Sequence, residues 1–125
     1  MIINYYFISK ENFNEKTLFP RVPKYRMNNE NKLTKRICVS KSINGALSAI
    51  GGFDIGDVMY VHICHSDKVY QPFLQEVPDV CFTGEEWVLE PVKMKLFTTI
   101  KINAVLESVL NNMHNDVYSF EIATI

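Results

Sequence analysis

The sequence predicts an α+β fold, with mixed, mostly antiparallel sheets of about six or seven strands and one or two short helices. Three observations carry this expectation. Short segments rich in β-branched and aromatic residues recur along the chain; only one segment holds a strong helical period; and the two signals do not alternate as regular strand–helix units. With 125 residues, 47% of them hydrophobic and 22% charged, the chain can bury one core but not two, so it is read as a single domain over residues 1–125.

"IINYYFIS" (2–9) is β-branched and aromatic and is followed by a polar run, which predicts the first strand. No period is sustained from Lys10 to Lys35, so this region reads as one long loop, a feature that often marks function. "KRICVS" (35–40) is a short strand leading into "SKSINGALSAIGG". There Ile43, Ala46, Leu47 and Ile50 fall on one helical stripe, with Ser40 or Ser42 as N-cap and Gly51-Gly52 as the stop. "DVMYVHIC" (57–64) places Val58, Tyr60 and His62 on one face and Met59, Val61 and Ile63 on the other. Two mostly apolar faces predict a central strand.

Residues 68–84 read as loop, broken by Pro72 and Pro78 and ended by Gly84. "EEWVLEPVKMKLFTTIKIN" supplies two strands parted near Pro91, the second running from about 93 to 102. "AVLESVLNNMHN" (104–115) reads as a short helix with Leu106, Val109, Leu110 and Met113 inward, and "VYSFEIATI" closes the chain as a strand.

A net charge of −1 does not advertise a nucleic-acid or membrane partner, and no apolar run approaches the ~20 residues of a bilayer span. The first residues lack the basic region and cleavage site of a secretory signal, and Cys38, Cys64 and Cys81 are odd in number and widely spaced. Both features predict a cytoplasmic protein with reduced thiols. His62, His65 and His114 form no paired ligand motif, so no metal is expected.

Any anion site must therefore come from local clustering. "TLFPRVPKYRM" (17–27) joins two backbone-stiffening prolines to Arg21, Lys24 and Arg26, with Lys35 and Arg36 further on. Arginine forks suit phosphate oxygens, and a loop stiffened beforehand loses less entropy on binding. Solvated cations beside structural prolines are the alternative. Ser40 stands where a strand meets a helix N-terminus, which attracts anions, although a plain cap explains it as well. "TGEEW" (83–87) sets Glu85 and Glu86 at the start of an aromatic strand, where a partly desolvated carboxylate could bond a ribose hydroxyl or act as a base. The common nucleotide-loop and hydrolase motifs are absent.

Taken in order, "YYFIS", "LFPRVP", "RICVSKSINGALSAI", "VMYVHIC" and "TGEEWVLEPV" resemble a family of small bacterial and phage proteins. That family is similar in layout to the ADP-ribosyltransferase-like fold. The resemblance covers roughly residues 3–102. It implies that Ser40 occupies the family's strand-end Ser or Tyr position and that Glu85, or Glu86 in second place, occupies that of its late-strand Glu, as the catalytic pair. Tyr5, Tyr6 and Phe7 stand where the family carries a first-strand His or Arg, which puts Tyr6 with the ligand-binding candidates. Arg21, Arg26 or Arg36 would take a diphosphate, as arginines do in the related RNA 2′-phosphotransferases. The implied activity is NAD-dependent ADP-ribosyl transfer, with NAD as substrate and no tightly held cofactor. The alternative is a non-catalytic phage protein that sequesters a nucleotide signal or inhibits a host enzyme, with a nucleotide or a host protein as partner.

Overall fold

The computed structural model describes residues 2–23, 31–50, 53–77, 80–110 and 113–122. Lys24, Tyr25 and Arg26, with the expected helix stop at Gly51-Gly52, lie outside the described residues. Among the described residues nine strands and two helices follow in chain order. They are β1 (Tyr5–Ser9), β2 (Thr17–Leu18), β3 (Ile37–Val39), α1 (Ile43–Ile50), β4 (Val58–Cys64), β5 (Val69–Tyr70), α2 (Val80–Thr83), β6 (Glu86–Val88), β7 (Val92–Lys93), β8 (Lys95–Leu110) and β9 (Met113–Ile122). The strand count exceeds the expected six or seven because β2, β5 and β7 are two-residue pairings too short to leave a periodic signal.

Every strand pairing is antiparallel. The main sheet runs β1-β4-β8-β9; β3-β6-β5 form a second sheet and β2-β7 a third. β4 is central, as its two apolar faces require. On one face Ile8, Met59, Val61, Ile100, Ile102 and Tyr118 pack against Ala46 and Leu47 of α1 and against Phe53. On the other, Tyr5 and Cys64 meet Ile37, Val39, Val88, Val92 and Met94 from the smaller sheets. The main sheet thus lies between a helix and two small sheets. Complete burial of Leu47 alone contributes about 1.5–3 kcal/mol.

Three sequence expectations need correcting. Residues 68–84, read as loop, hold β5 and the short α2. The segment 104–115 is not a helix: β8 runs on to Leu110 and β9 begins at Met113, with Leu106 opposite Val117. Its apolar residues satisfy both periods, and cross-strand pairing decided between them. The helical stripe of α1 is also narrower than expected, since Ile50 is exposed while Gly45, Ala46 and Leu47 are buried.

A bulge sits where Val61 pairs with Thr98 but His62 pairs with Leu96, leaving Phe97 as the extra residue. His62 is fully buried there. Its Nδ1 donates to the Phe7 carbonyl at 3.1 Å and its Nε2 accepts the Phe13 N–H at 2.9 Å, an arrangement that only the neutral ring can make. Burial holds its pKa below the usual 6.5, against a smaller upward pull from the Phe7 bond. The native state therefore resists a proton that the unfolded chain accepts as pH falls through 6.5. The stabilisation is complete above that pH and is lost progressively below it, by about 1.4 kcal/mol for each unit separating the two pKa values. Urea midpoints compared between pH 7.5 and 5 should show a fall that is smaller in His62→Gln; equal falls in the two proteins would remove the histidine as the cause.

Among the described residues neither Cys38 nor Cys64 is in a disulfide, and burial pushes the Cys64 thiol up to about 11, so it stays protonated and unreactive at neutral pH. The Cys81 and His114 side chains lie outside the described set. Among the described residues no helix is long and apolar enough to cross a membrane.

Candidate functional site

The strand–serine–helix corner forms because β3 ends at Val39 and the next polar residues arrest the chain before α1 begins. Ser42 is the helix cap: its Oγ accepts the Gly45 N–H at 3.0 Å, and its carbonyl accepts the first helical bond from Ala46. Ser40 does a different job. Its backbone forms an antiparallel bridge with Tyr6, and its Oγ donates to the Thr83 carbonyl at 3.2 Å, tying the corner to the end of α2. Gly84 follows with φ +63°, the left-handed turn that glycine adopts freely and that delivers the chain into β6.

These elements enclose an open cleft of about 520 Å³, lined by Ser40, Lys41 and Ser42 on one side, Thr83 to Glu86 on another, and Gln71 with Pro72 on a third. That volume lies within the range of small-molecule sites. Both carboxylates are buried at the residue level, although each lines the cleft. β6 is the middle strand of its sheet, so both of its edges are paired, and its three residues are all buried. Glu85 Oε2 accepts the indole N–H of Trp87 at 2.8 Å. Glu86 Oε1 accepts the side-chain amide of Gln71 at 3.1 Å and lies 3.7 Å from Lys41 Nζ. The site is bipolar: Glu85, just before β6, and Glu86, its first residue, share the lining with Lys41 and with Ser42, the cap of α1.

No family model, curated protein or solved structure matches this chain.

Of the residues singled out in the sequence, Ser40 and Glu85 come together in the cleft. Tyr6 is joined to Ser40 through the backbone, while its ring meets Phe97 edge-on at 6.0 Å. Arg21 and Arg36 are joined by reciprocal backbone bonds of 3.0 and 2.9 Å but are not among the residues lining the cleft. The Arg36 guanidinium is buried 4.3 Å over the Trp87 ring and donates to the Thr34 carbonyl at 2.9 Å; Arg21 is exposed. Arg26 lies outside the described residues.

Sequence reasoning missed Lys41, Gln71 and Thr83 as cleft residues. Lys41 sits between the two serines already singled out, and Gln71 immediately precedes a proline, but neither position carries a motif. Among the described residues no group of three His, Cys, Asp or Glu side chains is arranged to hold a metal.

Proposed function

We propose that this cleft binds a nucleotide or a nucleotide-derived molecule, and that the chain is a non-catalytic binder with the layout of the ADP-ribosyltransferase-like fold. One observation carries the reading. Ser40 from the strand–helix corner and Glu85 from the short connection into β6, distant in sequence, line the same cleft beside Lys41 and Ser42, the cap of α1. A phosphate is attracted to the amino end of the helix and to the lysine, while the carboxylates of Glu85 and Glu86 accept hydrogen bonds from the rest of the ligand.

Binding is favoured over catalysis because the groups that chemistry would use are engaged elsewhere. Ser40 Oγ donates to Thr83, Glu85 accepts from Trp87, and the Arg36 guanidinium stacks on that indole. The resemblance to small bacterial and phage proteins fits a sequestering role for a nucleotide signal. The second reading, ADP-ribosyl transfer from NAD, draws on the same sharing of one cleft by Ser40 and Glu85.

Thermal unfolding with NAD, ADP-ribose and a panel of mono-, di- and cyclic nucleotides tests the proposal. At ~100 times its dissociation constant, a true ligand adds about 2.7 kcal/mol and raises Tm accordingly. At least one nucleotide should do so, with no nicotinamide released from NAD. Release of nicotinamide would move the reading to the transferase, and no shift with any member of the panel would end the nucleotide reading.

A further inference from the structure

Lys41 and Glu86 pair on the wall of the cleft, but in unlike surroundings. The Glu86 side chain is 7% exposed and that of Lys41 51%. A carboxylate so nearly removed from water keeps its charge only with help from its neighbours. Here the help is the Lys41 ammonium, 3.7 Å from Oε1, and the Gln71 amide, which donates to the same oxygen at 3.1 Å. Both contacts fall on Oε1, so a proton can be carried on Oε2.

The same ammonium is the charge that a phosphate entering the cleft meets. A phosphate on Lys41 draws the cation off Glu86 and sets a second negative charge near its carboxylate. Both changes favour the neutral acid. A buried pair that loses one partner is strongly destabilised while the other stays charged, and a proton on Glu86 removes that cost. Glu85 is the one other titratable group on the lining, and its Oε2 accepts the Trp87 indole N–H. The serine corner, α2, and Gln71 with Pro72 after β5 contribute only uncharged side chains besides Lys41.

We propose that the Lys41–Glu86 pair is a proton-linked switch: the phosphate of the ligand takes Lys41, and Glu86 takes up a proton. The inference rests on the reading of this cleft as the ligand site and adds the regulation of that site by pH. Linkage fixes the sign. The bound protein holds more protons than the free one, so affinity rises as pH falls, by at most about tenfold per pH unit for a single proton.

Cyclic AMP and ADP-ribose are the probes, because neither carries a phosphate proton that titrates near neutral pH. Titration calorimetry at pH 6, in two buffers of unlike ionisation enthalpy, counts the protons taken up with each. Net uptake of up to one proton is expected, with affinity at least about threefold weaker at pH 7.5. In Glu86→Gln the uptake and the pH dependence should both vanish, whereas Glu121→Gln, exposed on β9, keeps them. A merely structural role for Glu86 would weaken binding at every pH and leave the uptake in place. If Glu86→Gln does not fold, Lys41→Met, at a half-exposed side chain, severs the pair from the other side. It should bind more weakly and without uptake, since Glu86 then holds its proton before the ligand arrives. Binding with no proton taken up, or uptake that survives Glu86→Gln, would overturn the switch while leaving nucleotide binding intact. Sulfate, followed at the Glu86 carboxyl carbon by NMR, separates the remaining cases. Protonation of Glu86 driven by sulfate, with no nucleotide bound, keeps the switch and removes the nucleotide reading; silence from sulfate and nucleotides alike overturns both.

Discussion

Gly45→Ala is expected to destabilise this protein, although the same change in an exposed helix adds roughly 1 kcal/mol of helix stability. A methyl group at Gly45 overlaps the Thr83 carbonyl oxygen and comes within 2.5 Å of Ser40 Oγ and 2.9 Å of Ser42 Oγ. The hydroxyls can turn aside, but the carbonyl belongs to the backbone of α2 and can yield only if that helix moves away from α1. Overpacking of this kind costs about 1–3 kcal/mol. For a chain of this size each kcal/mol lowers Tm by roughly 3–6 °C. The same displacement shifts Thr83 and Gly84, so the cleft wall moves with it. Gly56→Ala is the useful comparison, because no atom lies within 4 Å of the added methyl and only its φ of +93° opposes the change. A Gly45→Ala protein as stable as the parent in urea would mean that α1 and α2 do not approach as closely as described.

Replacing Trp87 should have a larger effect still. The indole is fully buried, with the Arg36 guanidinium 4.3 Å from its ring centre, Tyr70 at 5.5 Å, and its N–H on Glu85. Trp87→Ala removes the partner of three side chains at once and opens a cavity, an expected loss of about 3–5 kcal/mol. Trp87→Phe keeps an aromatic ring in the stack but removes the donor, leaving a buried carboxylate oxygen short of a hydrogen bond at a cost of about 1–3 kcal/mol. Because Trp87 is the only tryptophan, unfolding of these variants has to be followed by circular dichroism. If Trp87→Ala falls within 1 kcal/mol of the parent, the stack is not the keystone of the second sheet.

Much of the fold could be read from the chain, and the failures have physical causes. β4 declared its central place through two apolar faces, and those faces divide the two core clusters as the alternation requires. The helix after Ser42 was legible because its apolar stripe and its cap agree. The segment after Ile102 was not, since leucine and valine there fit either period and only pairing across β8 and β9 selects the strand. Of the site, the Ser40 corner and the two glutamates were visible as local chemistry. What they face was not visible. Gln71 and Lys41 become cleft residues only when β5 and β3 flank β6, and Arg36 leaves the set of phosphate-binding candidates only because Trp87 stands across from its neighbour Cys38. Such assignments depend on strand order, which no short window of sequence encodes.

The pairing pattern also governs how this chain reaches its native state. Tyr6 meets Ile63, Cys38 meets Trp87 and Thr17 meets Lys93, so each sheet is closed by segments far apart along the polypeptide. Each closure loses chain entropy before any contact compensates for it. Topologies of this kind reach the folded state in milliseconds to seconds rather than microseconds. Among the described strands only β8 and β9 join neighbouring stretches, a hairpin of the kind that forms within about 1–10 μs. Until β1 arrives from the far end of the chain, β4 waits beside that ribbon with an open edge, and in that interval an intermolecular strand can take its place.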